Sequence, residues 1–211
     1  MGEQDANYRF ADEATIEPDH ISKARAYALE IGAAPISPAV GAQCAVIAAS
    51  SRALNIVEIG TGAGVSGLWL LHGSPRATLT TIDSEPEHLG AARQAFADAK
   101  VPPARVRFIT GRAMEVLPRM NEASYDIVLV DADPDGVIDY VEHGLRLVRA
   151  GGTVLIPRVL NGGAVADPVR RDAVTASYRS LIHETQASAA VIGALSIVGE
   201  GLLQLTTTPP D

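Results

Sequence analysis

From Asn55 onward the chain alternates short apolar runs with longer segments whose apolar residues recur every three or four positions. The short runs are "NIVEI" (55–59), "TLTTID" (78–83), "VRFIT" (106–110), "YDIVLVD" (125–131), "GTVLI" (152–156), "AAVIG" (189–193) and "LLQLTT" (202–207). Runs of this length, rich in β-branched residues and bounded by Gly, Asp, Asn and Pro, predict strands. Between them, "SGLWLLHG", "PEHLGAARQAFADA", "AMEVLPRM", "VIDYVEHGLRLV" and "DPVRRDAVTASYRSLIHE" predict helices. Two further helical stretches precede the first strand: "DEATIEPDHISKARAYALEIG" and, after the Ser37–Pro38 start signal, "SPAVGAQCAVIAASSRA".

Strand–helix alternation implies an α/β fold: a mostly parallel sheet with helices on both faces. No clear helix separates the last two strands, so they are expected to pair antiparallel at or near an edge. Composition is even along the chain and no repeat or linker stands out. One domain over 1–211 is therefore expected, with N-terminal helices over about 10–52 and the sheet-bearing core over about 53–211. Ligands of such folds bind beyond the carboxyl ends of the strands.

Composition then narrows the classes. A formal net charge of −8 argues against a nucleic-acid partner, because phosphate neutralisation needs a basic face. No apolar run reaches the length of a membrane span, and "MGEQDANYRF" lacks the basic start and apolar stretch of a secretory signal. The single cysteine, Cys44, sits among small apolar residues and is expected to be a buried thiol in a reducing, cytoplasmic setting. The only lysines are Lys23 and Lys100, so a lysine base would have to be one of these two. His88, His143 and His183 fall on polar helix faces and are expected to be solvated. His72 lies near a helix end, and no Ser-His-Asp or Cys-His arrangement is apparent.

The chemistry concentrates where strands end. "EIGTGAGVSG" carries Gly60, Gly62 and Gly64 between the first strand and a helix starting near Val65. Glycines there allow a sharp turn and close backbone approach to a ligand. The second strand ends on Asp83, placed to accept hydrogen bonds from ribose hydroxyls. Together they point to a nucleoside cofactor. Counted from Gly62 a dinucleotide fingerprint is met, so nicotinamide stays open on spacing alone, while S-adenosylmethionine suits a loop with Glu58 at one end and Asp83 at the other.

"VEIGTGAGVSGLWL" and "TTIDSEPEHLGAARQAF" resemble the opening motifs of class I S-adenosylmethionine-dependent methyltransferases, and more narrowly the catechol and caffeoyl-CoA O-methyltransferase family. "ISPAVGA", "FITGRAMEVLP", "YDIVLVDAD" and "GEGLLQL" are similar to that family's later segments, so the resemblance runs from about Ile36 onward. It implies a Rossmann-like seven-stranded sheet with an antiparallel last strand. It also implies that Ile36, Glu58, Gly60, Thr61, Gly64, Ser66 and Asp131 surround the cofactor, that Asp83 takes the ribose, and that Ser84, Ala113 and Met114 line the adenine site. His20 falls in a region that helps form that family's substrate mouth.

Metal-dependent members hold a divalent cation through an aspartate ending the fourth strand, here Asp131, and an Asp-Asn pair after the fifth. This chain has Pro157 and Arg158 at the pair, and Pro134 where the family has a lysine base. Proline offers no side-chain donor or acceptor and arginine is a fixed cation, so no catalytic metal is expected. Arg158 is expected to reach toward Asp131 and Asp133, neutralising them or binding substrate, with Asp131 orienting or deprotonating the acceptor. Asp135 reads as a turn or helix cap. The expected activity is O-methylation of a small hydroxylated acceptor, aromatic ones included, with S-adenosylhomocysteine as product. The alternatives are a cofactor-binding protein without catalysis and, more distantly, a nucleotide-dependent oxidoreductase. A homodimer with no nucleic-acid or membrane partner is expected.

Overall fold

The structure, a computed structural model, describes residues 3–208. Seven strands form one sheet: β1 (Asn55–Ile59), β2 (Thr78–Asp83), β3 (Val106–Thr110), β4 (Tyr125–Val130), β5 (Val148–Pro157), β6 (Val191–Ser196) and β7 (Leu202–Thr207). Their order is β3-β2-β1-β4-β5-β7-β6. The first five run parallel, and β7 lies antiparallel between β5 and β6. The expected terminal hairpin is therefore present, with β6 on the edge.

Among the described residues eight α-helices accompany the sheet: α1 (Glu3–Ala14), α2 (Asp19–Glu30), α3 (Pro38–Ser50), α4 (Val65–Gly73), α5 (Pro86–Asp98), the short α6 (Ala113–Val116), α7 (Val137–Leu147) and α8 (Ala173–Ala187). Strand alternation sends successive side chains to opposite faces. Ile56, Leu79, Ile127 and Leu129 pack with α2, α3, α4 and α5. Val57, Ile82, Val128 and Val130 pack with α7 and α8. Burial on both faces explains why "NIVEI" and "YDIVLV" read as nearly continuous apolar runs. No helix among the described residues is long and apolar enough to cross a membrane.

Among the boundaries that differ from the sequence reading, three bear on the architecture. The first helical stretch is two helices, because the chain turns at Ile16–Pro18 before α2. Glu17 in that turn accepts hydrogen bonds from the Arg25 guanidinium and from the Trp69 indole, fastening the turn to α4. The last helix starts at Ala173 rather than Asp167, because the Asp172 side chain caps it by accepting from the Thr175 N–H at 3.0 Å. The fifth strand reaches back to Val148, with a register shift against β4 between Tyr125 and Ile127.

Helices α3 and α4 approach closely. A Cβ on Gly73 would come within 2.0 Å of the Ala45 carbonyl oxygen, and one on Gly41 within 2.3 Å of the Trp69 ring. Cys44 lies in this layer with no exposed surface, and burial pushes its thiol up to about 12, with the Asp131 and Glu58 charges adding. It is the structural thiol expected.

Candidate active site

At the carboxyl ends of β1, β2, β4 and β5 a cavity of about 830 Å³ opens between the glycine turn and the chain after β5. Its position follows from strand order: β1 lies between β2 and β4, and the chain leaves these strands toward different sides.

The turn after β1 is set by backbone geometry. Gly60 has φ 91°, and a Cβ there would meet the Asp131 carbonyl oxygen at 2.0 Å. Gly60 N–H donates to the Ile82 carbonyl and Asp131 N–H donates to that of Ile59, so neither backbone can retreat. Gly62, φ 50°, donates its N–H to Asp83 Oδ2 at 2.9 Å. Asp83 Oδ1 accepts from the Glu85 N–H at 2.9 Å, and His88 Nδ1 stands 3.4 Å from Oδ2. The ribose candidate is therefore braced on both oxygens and still lines the cavity. His88, expected to be merely solvated, is part of this wall.

Beneath the turn is a buried hydrogen-bonded chain. Glu58 Oε1 accepts from the Ser66 hydroxyl and Oε2 from that of Thr81, both at 2.6 Å, and Thr81 and Thr61 hydroxyls lie 2.6 Å apart. Glu58 does not line the cavity; Ser66 and Thr61, which do, are oriented through it. Burial pushes the Glu58 carboxyl up to about 7, opposed by the Ser66 and Thr81 hydrogen bonds and reinforced by the charges of Asp131 and Asp83. Because that folded value exceeds the ordinary 4.5, the folded protein keeps a proton between these pH values that the unfolded chain has lost. Stability of the cofactor-free protein is thus expected to fall by up to about 3 kcal/mol as pH rises from 4.5 through 7. Thermal melts from pH 5 to 8 check this: Glu58→Gln, which resembles the protonated form, should flatten the slope, and an equally steep slope in the variant would assign it to another group.

The other expected cofactor residues divide. Gly60, Thr61, Ser66, Asp83, Ser84, Ala113 and Asp131 line the cavity. Ile36 does not: it is 2% exposed within the core, and the preceding Ala33, Ala34 and Pro35 form the wall there. Gly64, φ 87°, starts α4, and its missing Cβ makes room for the Phe96 ring and Ala92. Met114 is exposed and outside the lining, where Gly111 and Arg112 stand beside Ala113. His20 lies outside it too.

At the other end, Arg158 and Asp131 form an ion pair. Arg158 Nη1 also donates to the Ala34 carbonyl at 2.8 Å, joining the end of β5 to the wall that precedes α3. Burial raises the pKa of the Asp131 carboxyl, and the Arg158 guanidinium draws it back down. Asp133 takes a different partner: Tyr140 donates its phenol proton to Oδ2 at 2.6 Å, and Oδ1 accepts from the Gly136 N–H at 3.1 Å. Asp133, not Asp135, is therefore the cap of the turn before α7. Tyr178, Asn161 and Glu200 complete this end, none of them singled out from sequence.

One missed residue, Thr81, had a readable signal. Glu58 stands beside Thr81 in the β1–β2 register, and a carboxylate inside an apolar strand requires a donor on its neighbour. Aligning "NIVEI" with "TLTTI" end to end finds it. Tyr178 and Glu200 had none, because they arrive from the middle of α8 and from the β6–β7 turn.

The chain matches the O-methyltransferase family over residues 23–203. A Mycobacterium bovis protein whose name assigns it provisionally to the O-methyltransferases is 47% identical over 193 residues, covering 90% of this chain and 86% of that one. A crystal structure from Corynebacterium glutamicum superposes with a TM-score of 0.90 at 28% identity, over 99% of both chains. TomG of Streptomyces achromogenes, an O-methyltransferase involved in tomaymycin synthesis and solved with S-adenosylmethionine, superposes with a TM-score of 0.85 at 28% identity, over 99% of this chain and 100% of that one. With its seven-stranded sheet and the cavity at the strand ends, the chain belongs to the O-methyltransferase family of class I S-adenosylmethionine-dependent enzymes.

Proposed function

We propose that the protein transfers a methyl group from S-adenosylmethionine to a hydroxyl oxygen of a small acceptor, aromatic acceptors included, without a divalent cation. One observation carries this reading: a single cavity holds the braced Asp83 and glycine turn together with the Asp131–Arg158 pair. The cofactor bound to TomG supports the cofactor half.

The residues suit that cofactor. A carboxylate has about four acceptor positions, so Asp83 keeps room for ribose hydroxyls beyond the Gly62 and Glu85 N–H groups. Ser66, its proton committed to Glu58, presents lone pairs to an ammonium group. Ser84 and the Gly111–Ala113 stretch supply an adenine wall. S-adenosylmethionine, when bound, supplies a methyl group already activated on a sulfonium. The chain's own task is to hold a hydroxyl oxygen in line with it, which supplies much of the acceleration. Asp131 orients that hydroxyl or takes its proton, and Arg158 fixes the carboxylate that does so.

The positions that hold a cation in metal-dependent relatives do not fit one here. Arg158 occupies Asp131, and Pro157 offers no side-chain ligand. Both features support catalysis without a bound cation.

Transfer of labelled methyl to a panel of hydroxylated aromatics, with and without a strong chelator, tests the whole reading. Turnover that the chelator leaves unchanged is expected; chelator-sensitive turnover overturns the metal-free half. Asp83→Asn is expected to weaken S-adenosylhomocysteine binding by about 1.5–3 kcal/mol, the scale of charge-assisted hydrogen bonds. Calorimetry checks this, and an unchanged affinity removes Asp83 from the site. Binding without catalysis is the second reading, favoured by Arg158 already holding the Asp131 carboxylate. Tight S-adenosylhomocysteine binding with no transfer across the panel would support it.

A further inference from the structure

The cavity wall that precedes α3 has little backbone support of its own. Ala33 N–H still donates to the Ala28 carbonyl of α2, and the Ser37 carbonyl already accepts from the Gly41 N–H of α3. Among the described residues, no backbone–backbone hydrogen bond holds the intervening Ala34, Pro35 or Ile36. Side chains hold them instead. Arg158 donates to the Ala34 carbonyl from the end of β5, and Arg25 Nη1 donates to the Ile36 carbonyl from α2. The wall stands against the glycine turn: a Cβ on Gly62 would lie 3.9 Å from the Ala33 methyl.

Arg25 is committed on its other edge. Its Nε donates to Glu17 Oε2 at 2.9 Å and its Nη2 to Oε1 at 2.7 Å, a two-pronged ion pair whose side chains are 16% and 11% exposed. Glu17 Oε1 also accepts from the Trp69 indole N–H at 3.3 Å. Trp69 is the single tryptophan of the chain, buried on α4, the helix that the glycine turn opens. Wall and glycine turn are thus joined through Ile36, Arg25, Glu17 and Trp69, none of which lines the cavity. The two charges cancel within the pair, so what it passes to the cavity is position.

We propose that Glu17 and Arg25 are positioning residues of the cofactor site: they fix the Ala33–Pro35 wall against the glycine turn and carry the cavity's occupancy to Trp69. This rests on S-adenosylmethionine as the cofactor and adds the residues that place one wall of its site. Arginine is required at position 25. Its planar guanidinium presents donors along two edges at once, whereas a lysine ammonium is a single point on a flexible stem. Two arginines from different elements therefore pin the wall: Arg158 ties it to Asp131, and Arg25 ties it to α4 through Glu17. A ligand seated between wall and turn bears on both ties, and the second ends at the indole.

Calorimetric S-adenosylhomocysteine binding, steady-state kinetics and Trp69 emission test this together. Saturating the parent with S-adenosylhomocysteine should change its Trp69 emission. Arg25→Met should weaken that binding by about tenfold, the scale of losing a charged hydrogen bond, and should abolish the emission change at saturation. KM for S-adenosylmethionine should rise by a similar factor with kcat changed less than about twofold, the signature of lost binding rather than lost chemistry. Arg25→Lys, which keeps the charge but not both edges, should fall between. The double variant Glu17→Gln with Arg25→Met leaves no half-buried carboxylate unpaired, so its melting curve should stay close to the parent's while binding remains weak. Asp83→Asn is the control, weakening binding yet keeping the emission change once saturated. A parent that binds but transfers no methyl overturns catalysis alone, and binding and emission then decide the proposal. A parent that binds no S-adenosylhomocysteine overturns the cofactor reading and the proposal together. Parent-like affinity in the folded double variant, a loss confined to kcat, or no emission change in the ligand-saturated parent would overturn the proposal and leave the cofactor reading standing.

Discussion

Gly60→Ala should lower the melting temperature by about 8–16 °C and abolish measurable S-adenosylhomocysteine binding. The new Cβ would stand 2.0 Å from the Asp131 carbonyl oxygen and 2.6 Å from its carbon, both backbone atoms. Relief would need β1 and β4 to separate just where the Gly60 and Asp131 N–H groups complete the sheet. The φ of 91° adds strain that L residues rarely accept. Together these put the loss near the upper end for single substitutions, about 4 kcal/mol, and for a domain of this size each kcal/mol shifts melting by about 2–4 °C. Gly62→Ala is the control. Its Cβ would meet only the Ala33 methyl at 3.9 Å, so it should cost about 1 kcal/mol from its φ of 50° while crowding the cavity. A Gly60→Ala protein that melts within 2 °C of the parent would show that the contact between β1 and β4 yields easily.

Arg158→Asn should reduce turnover by about a hundred- to a thousandfold, the scale of losing one preorganised donor in a site. The backbone does not confound the experiment. Arg158 has φ 59°, a region that asparagine enters more readily than arginine, so any loss belongs to the side chain. Without the guanidinium, nothing offsets the burial that raises the Asp131 pKa, so the carboxyl should hold its proton to higher pH. If ionised Asp131 is the working form, the acidic limb of the pH–rate profile moves upward. Stability should fall by about 1–3 kcal/mol, less than for a fully buried pair because Arg158 is 30% exposed. Combining Arg158→Asn with Pro157→Asp should create a measurable divalent-ion site with Asp131, since three oxygen ligands then converge. Unchanged turnover in the single variant would remove Arg158 from catalysis.

Periodicity made the sheet legible because strands buried on both faces must be nearly continuous apolar runs, as "IVLV" is. It made one end of the cavity legible because a close turn needs glycine and a strand end places Asp83. Legibility stopped where function depends on distant partners. Ile36 reads as a cofactor contact, yet the cavity wall comes from Ala33, Ala34 and Pro35, the three residues just before it. Asp135 reads as the capping residue, yet it is Asp133 that accepts from the Gly136 N–H, and the Tyr140 hydroxyl, a helical turn into α7, holds its other oxygen. His88 has the look of a solvated helix residue until α5 is seen to carry it back to Asp83. The Arg158–Asp131 pairing was readable because both residues end neighbouring parallel strands, which topology alone brings together.

The lone cysteine offers a clock built into the molecule. With no exposed surface and its thiol pushed up to about 12, Cys44 cannot meet a thiol reagent while α3 and α4 stay together. Its labelling rate, divided by that of the unfolded chain, therefore measures how often this layer parts under native conditions. Since α3 follows directly on the segment that Arg158 ties down through Ala34, a bound ligand that tightens that tie would slow the clock. The same reading, taken with each acceptor in turn, would report on binding in unmodified protein with no engineered probe.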